Sequence, residues 1–356
     1  MNWEVYRNKR VFLTGHTGFK GAWMLRWLNI LGADVKGYSL APAPDDGLYN
    51  QIGGDQRCQS VIADITNKER LEKEIENFQP DFIFHLAAQP LVRLSYDIPA
   101  ETFLTNTLGT AFLLDAVIRL KKPCVVVAIT TDKVYENLEW HYPYRENDRL
   151  GGYDPYSASK AAAEIVISSY RNSFFNTKEV SRHQKAIASA RAGNVIGGGD
   201  WAKDRIIPDI IRSLKKKEPV ILRNPASVRP WQHVLEPLAG YLQLGAKMAG
   251  DPVKYAEAWN FGPYQEDSNL TVGELAKIAL SIWGSGTWET ATAGHQPHEA
   301  GLLRLDIGKT TAELAWKPKM NARQAIEMTI EWYKNAEHTS ADKLIEKDIE
   351  KYNSLS

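Results

Sequence analysis

Cysteine is nearly missing from this chain of 356 residues: only Cys58 and Cys124 are present, and their separation fits neither a metal-binding repeat nor a short disulfide loop. Cys124 opens an apolar run and reads as a small buried hydrophobe in a reducing compartment. An excess of either charge is missing too, since Lys plus Arg and Asp plus Glu both number 43. That balance excludes the basic footprint of a nucleic-acid binder and the acidic character of a charged scaffold. No apolar stretch approaches the roughly 20 residues that cross a bilayer, so no membrane contact is expected. The first residues, Met1 to Arg7, lack the apolar core of a secretory signal. There are no internal repeats or low-complexity tracts, and no metal site is expected. A soluble cytoplasmic protein acting on a small molecule is the starting expectation.

What the chain does have is alternation. Short apolar runs alternate with helical patterns through the first half, the signature of a parallel sheet covered on both faces. Strands are expected at Arg10–Thr14, Asp34–Ser39, Ser60–Ala63, Phe82–His85, Val125–Ile129 and Ala186–Ala190. Helices are expected at Phe19–Leu31, Lys68–Asn77, Thr102–Leu120 and Ser157–Arg171. Right-handed crossovers then make the array an α/β, Rossmann-type doubly wound parallel sheet. After Asn194 the rhythm breaks. A loop at Ile196–Asp200, a helix at Ile206–Leu214 and a short strand at Val220–Leu222 are followed by a capping box, Thr271 with Glu274, which opens a helix to Trp283. Ala322–Asn335 reads as a last amphipathic helix. The expected division is a dinucleotide-binding domain over 1–193, a smaller α/β substrate lobe over 194–340 interleaved with it, and a charged, fraying tail over 341–356.

Gly15-His16-Thr17-Gly18-Phe19-Lys20-Gly21 follows the first strand directly and opens the first helix. Small residues there allow a tight turn, close approach of the backbone to a pyrophosphate, and helix–strand packing; the helix N-terminus adds N–H donors for the anion. Strand two ends in Gly37-Tyr38-Ser39, without the acid that usually holds the adenosine ribose. Ser39 is left as a weaker partner. No Arg or Lys stands beside Ser39 to welcome a 2′-phosphate, which favours NAD over NADP. With His16 and Lys20 crowding the turn, NAD is expected to be loosely held and partly lost on purification. Asp64 and Ile65 are candidate adenine contacts. Leu86-Ala87-Ala88-Gln89 ends strand four with small residues beside the cofactor path. Asn106, on the next helix, can support the Lys160 proton path.

Tyr156 and Lys160 stand one helical turn apart and project from one face. A phenol titrates near 10 in water, so a nearby ammonium and a positive nicotinamide ring are needed to favour the phenolate that takes a hydroxyl proton during oxidation. Thr131, Asp132 and Lys133 come directly after the fifth strand, at the carboxyl edge where open α/β sheets gather functional side chains. Thr131 can donate to the hydroxyl being oxidised. Asp132, protonated in a dry pocket, is a candidate acid. Lys133, desolvated beside Lys160, is a candidate base. A plain dehydrogenase has no use for that second pair.

At these residues, over roughly 8–335, the chain resembles the extended short-chain dehydrogenase/reductase superfamily, and within it the nucleotide-sugar 4,6-dehydratases. The glycine turn, Thr130-Thr131-Asp132-Lys133-Val134-Tyr135, Arg191-Ala-Gly-Asn194-Val-Ile-Gly-Gly-Gly-Asp-Trp201 and Arg229-Pro-Trp231-Gln-His233 carry the resemblance. Relatives acting on dTDP-glucose or GDP-mannose usually have Glu where Lys133 stands, so the departure points to the branch acting on CDP-sugars. The resemblance implies oxidation at C4 with Tyr156, Thr131 and Lys160, loss of water with Lys133 as base at C5 and Asp132 as acid at C6, and return of hydride to C6. It implies Asn194 at the diphosphate, with Arg205 and Arg229 as cationic partners. Trp201, Trp231, His233 and His298 with Glu299 are candidates for lining the nucleotide end, and Gln89 is a further substrate contact. It also implies a homodimer and supply of deoxysugars to surface polysaccharide.

Two other readings stay open. A nucleotide-sugar 4-epimerase would use Tyr156 equally but leave Asp132 and Lys133 without a task. A non-catalytic, cofactor-sensing protein of the same fold would not need the intact set of Thr131, Tyr156 and Lys160.

Overall fold

The structure, a computed structural model, describes residues 3–43, 47–267, 269–291 and 302–355. Six of its strands fall where alternation predicts them: β1 (Arg10–Thr14), β2 (Asp34–Ser39), β3 (Gln59–Ile62), β4 (Phe82–His85), β5 (Cys124–Ile129) and β6 (Lys185–Ala192). A seventh, β7 (Ala258–Phe261), adds to the edge of β6 and was not anticipated. Only four residues long, it lacks the Val/Ile run that marks β5. All seven pair in parallel in the order β7-β6-β5-β4-β1-β2-β3. The order reverses between β1 and β4, and crevices for ligands form at such switch points.

The longer helices are α1 (Phe19–Ile30), α2 (Lys68–Phe78), α3 (Gly109–Arg119), α4 (Pro155–Ser173), α5 (Ile206–Lys216), α6 (Leu235–Gly250), α7 (Val272–Trp283), α8 (Ala322–Asn335) and α9 (Ala341–Ser354). One core cluster joins α1, α6, α8 and α9 to one face of the sheet; a second joins α2, α3 and α4 to the other. The expected single helix over Thr102–Leu120 is broken by a wide π-helical turn at Leu104–Leu108 ahead of α3. Such turns disrupt the regular ladder and mark functional positions, and this one holds Asn106. The capping box at Thr271 and Glu274 is formed as expected. Short parallel pairs join Val195–Ile196 to Gln232–His233 and Val220–Leu222 to Trp288–Thr290.

The segment from 341 onward is not a fraying tail. Ala341, Leu344, Ile345, Ile349 and Tyr352 form a buried apolar stripe along α9, hidden in the sequence among Lys and Glu. Tyr352 meets Trp27 edge-on at 5.9 Å, and Arg26 and Arg57 both pair with Asp342, at 2.6 and 2.9 Å. The Tyr352 hydroxyl donates to Glu236 on α6 at 2.9 Å, and the Lys319 and Met320 N–H groups donate to its other oxygen at 2.8 and 2.7 Å.

Burial pushes the Glu236 carboxyl up to about 7, against the bonds it accepts. A folded-state value above the unfolded one favours folding at acid pH, and that contribution is lost as pH rises from about 4.5 through about 7. Denaturant unfolding of the native chain and of Glu236→Gln is therefore expected to diverge over this window. The native chain should lose up to about 3 kcal/mol relative to the variant. Parallel stability curves would show that Glu236 titrates normally.

Candidate functional site

The carboxyl ends of β1 to β6 open onto one cleft of about 1120 Å3. Its floor on the α1 side is the glycine turn. Gly15 has φ +74°, and a Cβ there would lie 2.8 Å from the Ala87 nitrogen; a Cβ on Gly21 would lie 1.9 Å from the Gly15 carbonyl oxygen. The turn thus touches both the end of β4 and itself, a fit only glycine permits. Gly18 caps α1 with no side chain, so the helix start is presented bare to the cleft. These features fit a dinucleotide pyrophosphate. Gly15, Gly18, Phe19, Lys20, Gly21, Ser39, Asp64, Ile65, Leu86, Ala87 and Ala88 all line this part. Ser39 is held by the Thr17 hydroxyl at 2.8 Å, while Asp64 Oδ1 closes its own turn by accepting from Thr66.

Thr131, Asp132, Lys133, Tyr156 and Lys160 meet at the middle of the cleft, and Asn194, Arg205, Arg229 and Trp231 line its far end. Four expected contacts lie elsewhere. His16 is fully buried beneath the turn: Nε2 bonds Ser60 at 2.8 Å, and its ring fills the space over Gly37. Burial lowers it to about 4, so it is a neutral wedge. Gln89 turns its side chain back on Leu91 and Thr102. Trp201 packs edge-on against Tyr333 at 5.2 Å. His233 is sealed against Trp23 at 5.8 Å and lowered to about 3 by burial. His298 and Glu299 lie outside the described residues.

Asn106 also lies beneath the cleft. Its Oδ1 accepts from the Gln89 N–H at 2.9 Å, and its Nδ2 donates to the Gln89 carbonyl at 3.1 Å and to the Ser159 hydroxyl at 2.9 Å. Ser159 in turn donates to the Tyr156 carbonyl at 2.7 Å. Asn106 therefore braces α4, the helix of Tyr156 and Lys160, against the end of β4.

At the centre, desolvation is the leading influence on Tyr156, Asp132, Lys160 and Lys20. Burial pushes the Tyr156 phenol up to about 12, opposite to the expectation that its surroundings would draw it down. The Thr131 hydroxyl and the charge of Arg205 work the other way. Lys160 falls to about 8 and Lys20 to about 7, both through burial first. Lys160 is buried outright, whereas Lys20 and Lys133 are half-buried. The Asp132 carboxyl is raised by burial. Thr131 donates to Asp132 Oδ1 at 2.9 Å. A Cβ on Gly193 would come within 2.7 Å of Asp132 Oδ2, so the end of β6 must be bare here. Sequence reasoning missed Lys20 as a member of this group, because its place in the glycine turn suggested only crowding. It also missed Arg93 and Arg223, which line the far end and share Asp204 at 3.7 and 2.7 Å. Isolated Arg residues outside any motif give no signal.

Residues 12–329 match the family model described as GDP-mannose 4,6 dehydratase. The chain belongs to this dehydratase family. A CDP-glucose 4,6-dehydratase of Salmonella typhimurium is 47% identical over 331 residues, covering 93% of this chain and 92% of that protein. Among solved structures, the dTDP-glucose 4,6-dehydratase DesIV of Streptomyces venezuelae, with NAD and TYD bound, superposes with a TM-score of 0.76. It is 24% identical and covers 92% of this chain and 97% of its own. The UDP-glucose 4-epimerase of Thermotoga maritima, with UDP-glucose, gives the same TM-score at 21% identity, covering 92% and 100%. Dehydratases of this family and epimerases thus share the fold, and fold alone does not separate them.

Gly21→Ala forces its methyl into the Gly15 carbonyl and is expected to weaken NAD binding at least about tenfold, or ~1.4 kcal/mol, in a calorimetric titration. Unchanged affinity would show that the turn is not the cradle.

Proposed function

We propose that this chain is an NAD-dependent hydro-lyase that dehydrates CDP-glucose to CDP-4-dehydro-6-deoxyglucose. The observation that carries the reading is Thr131. Its hydroxyl donates to Asp132 at 2.9 Å and also draws the Tyr156 phenol downward, so an oxidising base and a dehydrating acid are arranged around one buried hydroxyl. An epimerase needs the first and has no work for the second.

Bound in the glycine cradle, NAD would accept hydride from C4 of the sugar and return it to C6. Tyr156 takes the C4 hydroxyl proton. To do so it must become a phenolate in a dry place, and the Thr131 hydroxyl is one group that favours it. The Thr131 proton rests on Asp132 while Asp132 is ionised. Protonating Asp132, which its burial favours, frees Thr131 to turn to Tyr156. The state that ionises the base is therefore the state that arms the acid. With C4 at the ketone level, Lys133 removes the acidified C5 proton and Asp132 protonates the departing C6 hydroxyl as water. Lys160 supplies the positive charge beside Tyr156. Asn194, Arg205 and Arg229 are assigned to the diphosphate, since Arg offers oxygen atoms paired, fork-like donors. The missing acid at Ser39 supports an NAD that exchanges readily.

A homodimer is proposed as well. Phe103, Leu104 and Leu108 are exposed apolar residues beside α3, as is Ile165 on α4, at 60% exposure. A second copy would cover them. No helix of the described residues is long and apolar enough to cross a membrane, which suits a cytoplasmic enzyme supplying deoxysugars for surface polysaccharide.

Incubation with CDP-glucose and NAD is expected to give a product lighter by one water; an unchanged mass would favour the epimerase. Lys133→Ala is expected to keep C4 oxidation while slowing solvent deuterium exchange at C5 by about 100-fold or more. Normal exchange in that variant would remove Lys133 from the role of base.

A further inference from the structure

Glu164 stands one helical turn beyond Lys160 on α4 and is buried beneath the cleft rather than in it. Both of its oxygens are engaged. Oε1 accepts from the Thr130 hydroxyl at 2.5 Å, and Oε2 accepts from the Ser189 hydroxyl at 2.7 Å and from Arg191 Nη2 at 2.9 Å. Arg191 carries the network further, donating to the Tyr135 hydroxyl at 2.7 Å and to the Glu146 carbonyl at 2.9 Å. Three elements meet at this one carboxylate: the helix bearing Tyr156 and Lys160, the end of β5, and β6.

Thr130 is the joint. Before it comes Ile129, whose carbonyl accepts from Lys160 Nζ at 3.3 Å. After it come Thr131, Asp132 and Lys133. A bond from Glu164 to Thr130 therefore fixes both the perch of the ammonium and the start of the acid–base segment.

Charge adds a second link. Lys160 faces Lys20 across the cleft and His85 at the end of β4, which burial holds neutral at about 3. Neither offers it an anion. Glu164 does, opposing the loss of a proton that burial drives. Arg191, with the Thr130 and Ser189 hydroxyls, keeps Glu164 ionised, and Arg171 also interacts with its charge.

We propose that Glu164 is a positioning residue for the reaction inferred above, on which this assignment rests. Through Thr130 it sets the strand end that carries Thr131, Asp132 and Lys133, and through its charge it holds Lys160 cationic beside Tyr156.

The two links separate experimentally. Glu164→Gln alone strands the buried Arg191 charge, so the charge test uses Glu164→Gln with Arg191→Met, which replaces the pair by neutral groups. The pH dependence of Lys160 acetylation by acetic anhydride, read by peptide mass spectrometry, reports its titration without turnover. The midpoint, expected near 8 in the native chain, should move down by about one pH unit in the double variant. It should stay in place in Thr130→Val, which keeps the charge. Thr130→Val should instead slow release of the dehydrated product about tenfold or more, since small displacements of a catalytic segment are costly. An unmoved midpoint in the double variant, or a native dehydration rate in Thr130→Val, overturns the proposal. Variant midpoints that respond as expected, with a native chain that makes no keto sugar, would instead defeat the reading of the function.

Discussion

Loss of water from the carboxyl end of β5 is the constraint on which the rest of the structure depends. Tyr156, Asp132 and Lys160 are buried there and Lys20 half-buried, and desolvation is the largest influence on each of them. In solution each would settle its own charge; here the neighbours settle it jointly. Thr131 shows this most directly, because one hydroxyl proton cannot serve a carboxylate and a phenolate together. The resting pattern, with Thr131 donating to Asp132, leaves Tyr156 a neutral phenol. The proposed reaction calls for the opposite arrangement, which a single proton placed on Asp132 would provide.

Such a dry centre has to be built from outside. His85 bonds Thr14 at 2.8 Å and Thr110 at 3.0 Å, and Thr14 accepts from the Ala87 N–H at 3.1 Å. Thr110 then donates to the Asn106 carbonyl at 2.7 Å. From Asn106 the chain of bonds passes through Ser159 to Tyr156. The glycine cradle and the catalytic helix are thereby tied through groups that never face the cleft. The loop after β6 is fixed similarly: Trp23 Nε1 donates to the Gly198 carbonyl at 2.9 Å, and the Tyr333 hydroxyl to the Asp200 carbonyl at 2.6 Å. Helix α9 backs the same face of α1.

Much of this was legible in the chain itself. Val125–Ile129 announced a strand buried on both faces, and the Gly15–Gly21 turn and the Tyr156/Lys160 spacing announced their places at its edge. What sequence reading missed has physical causes. The stripe on α9 is diluted by lysine and glutamate, so charge hid the periodicity. His16, Gln89, Trp201 and His233 look like ligand contacts because polar aromatics and amides are rare in cores. Here each meets a partner or a packing ring inside the protein instead. The direction of the Tyr156 shift was misread because burial, which no local pattern reveals, outweighs nearby cations. Glu164 was invisible for the same reason: its three partners come from β5 and β6, far along the chain.

The central claim is that one buried site oxidises C4, expels water and reduces C6 without releasing the hydride between steps. The most direct test supplies CDP-glucose carrying deuterium at C4 and locates the label in the product by NMR. The account expects deuterium at C6 of the same sugar molecule. Label that stays at C4 or is lost to solvent would contradict it.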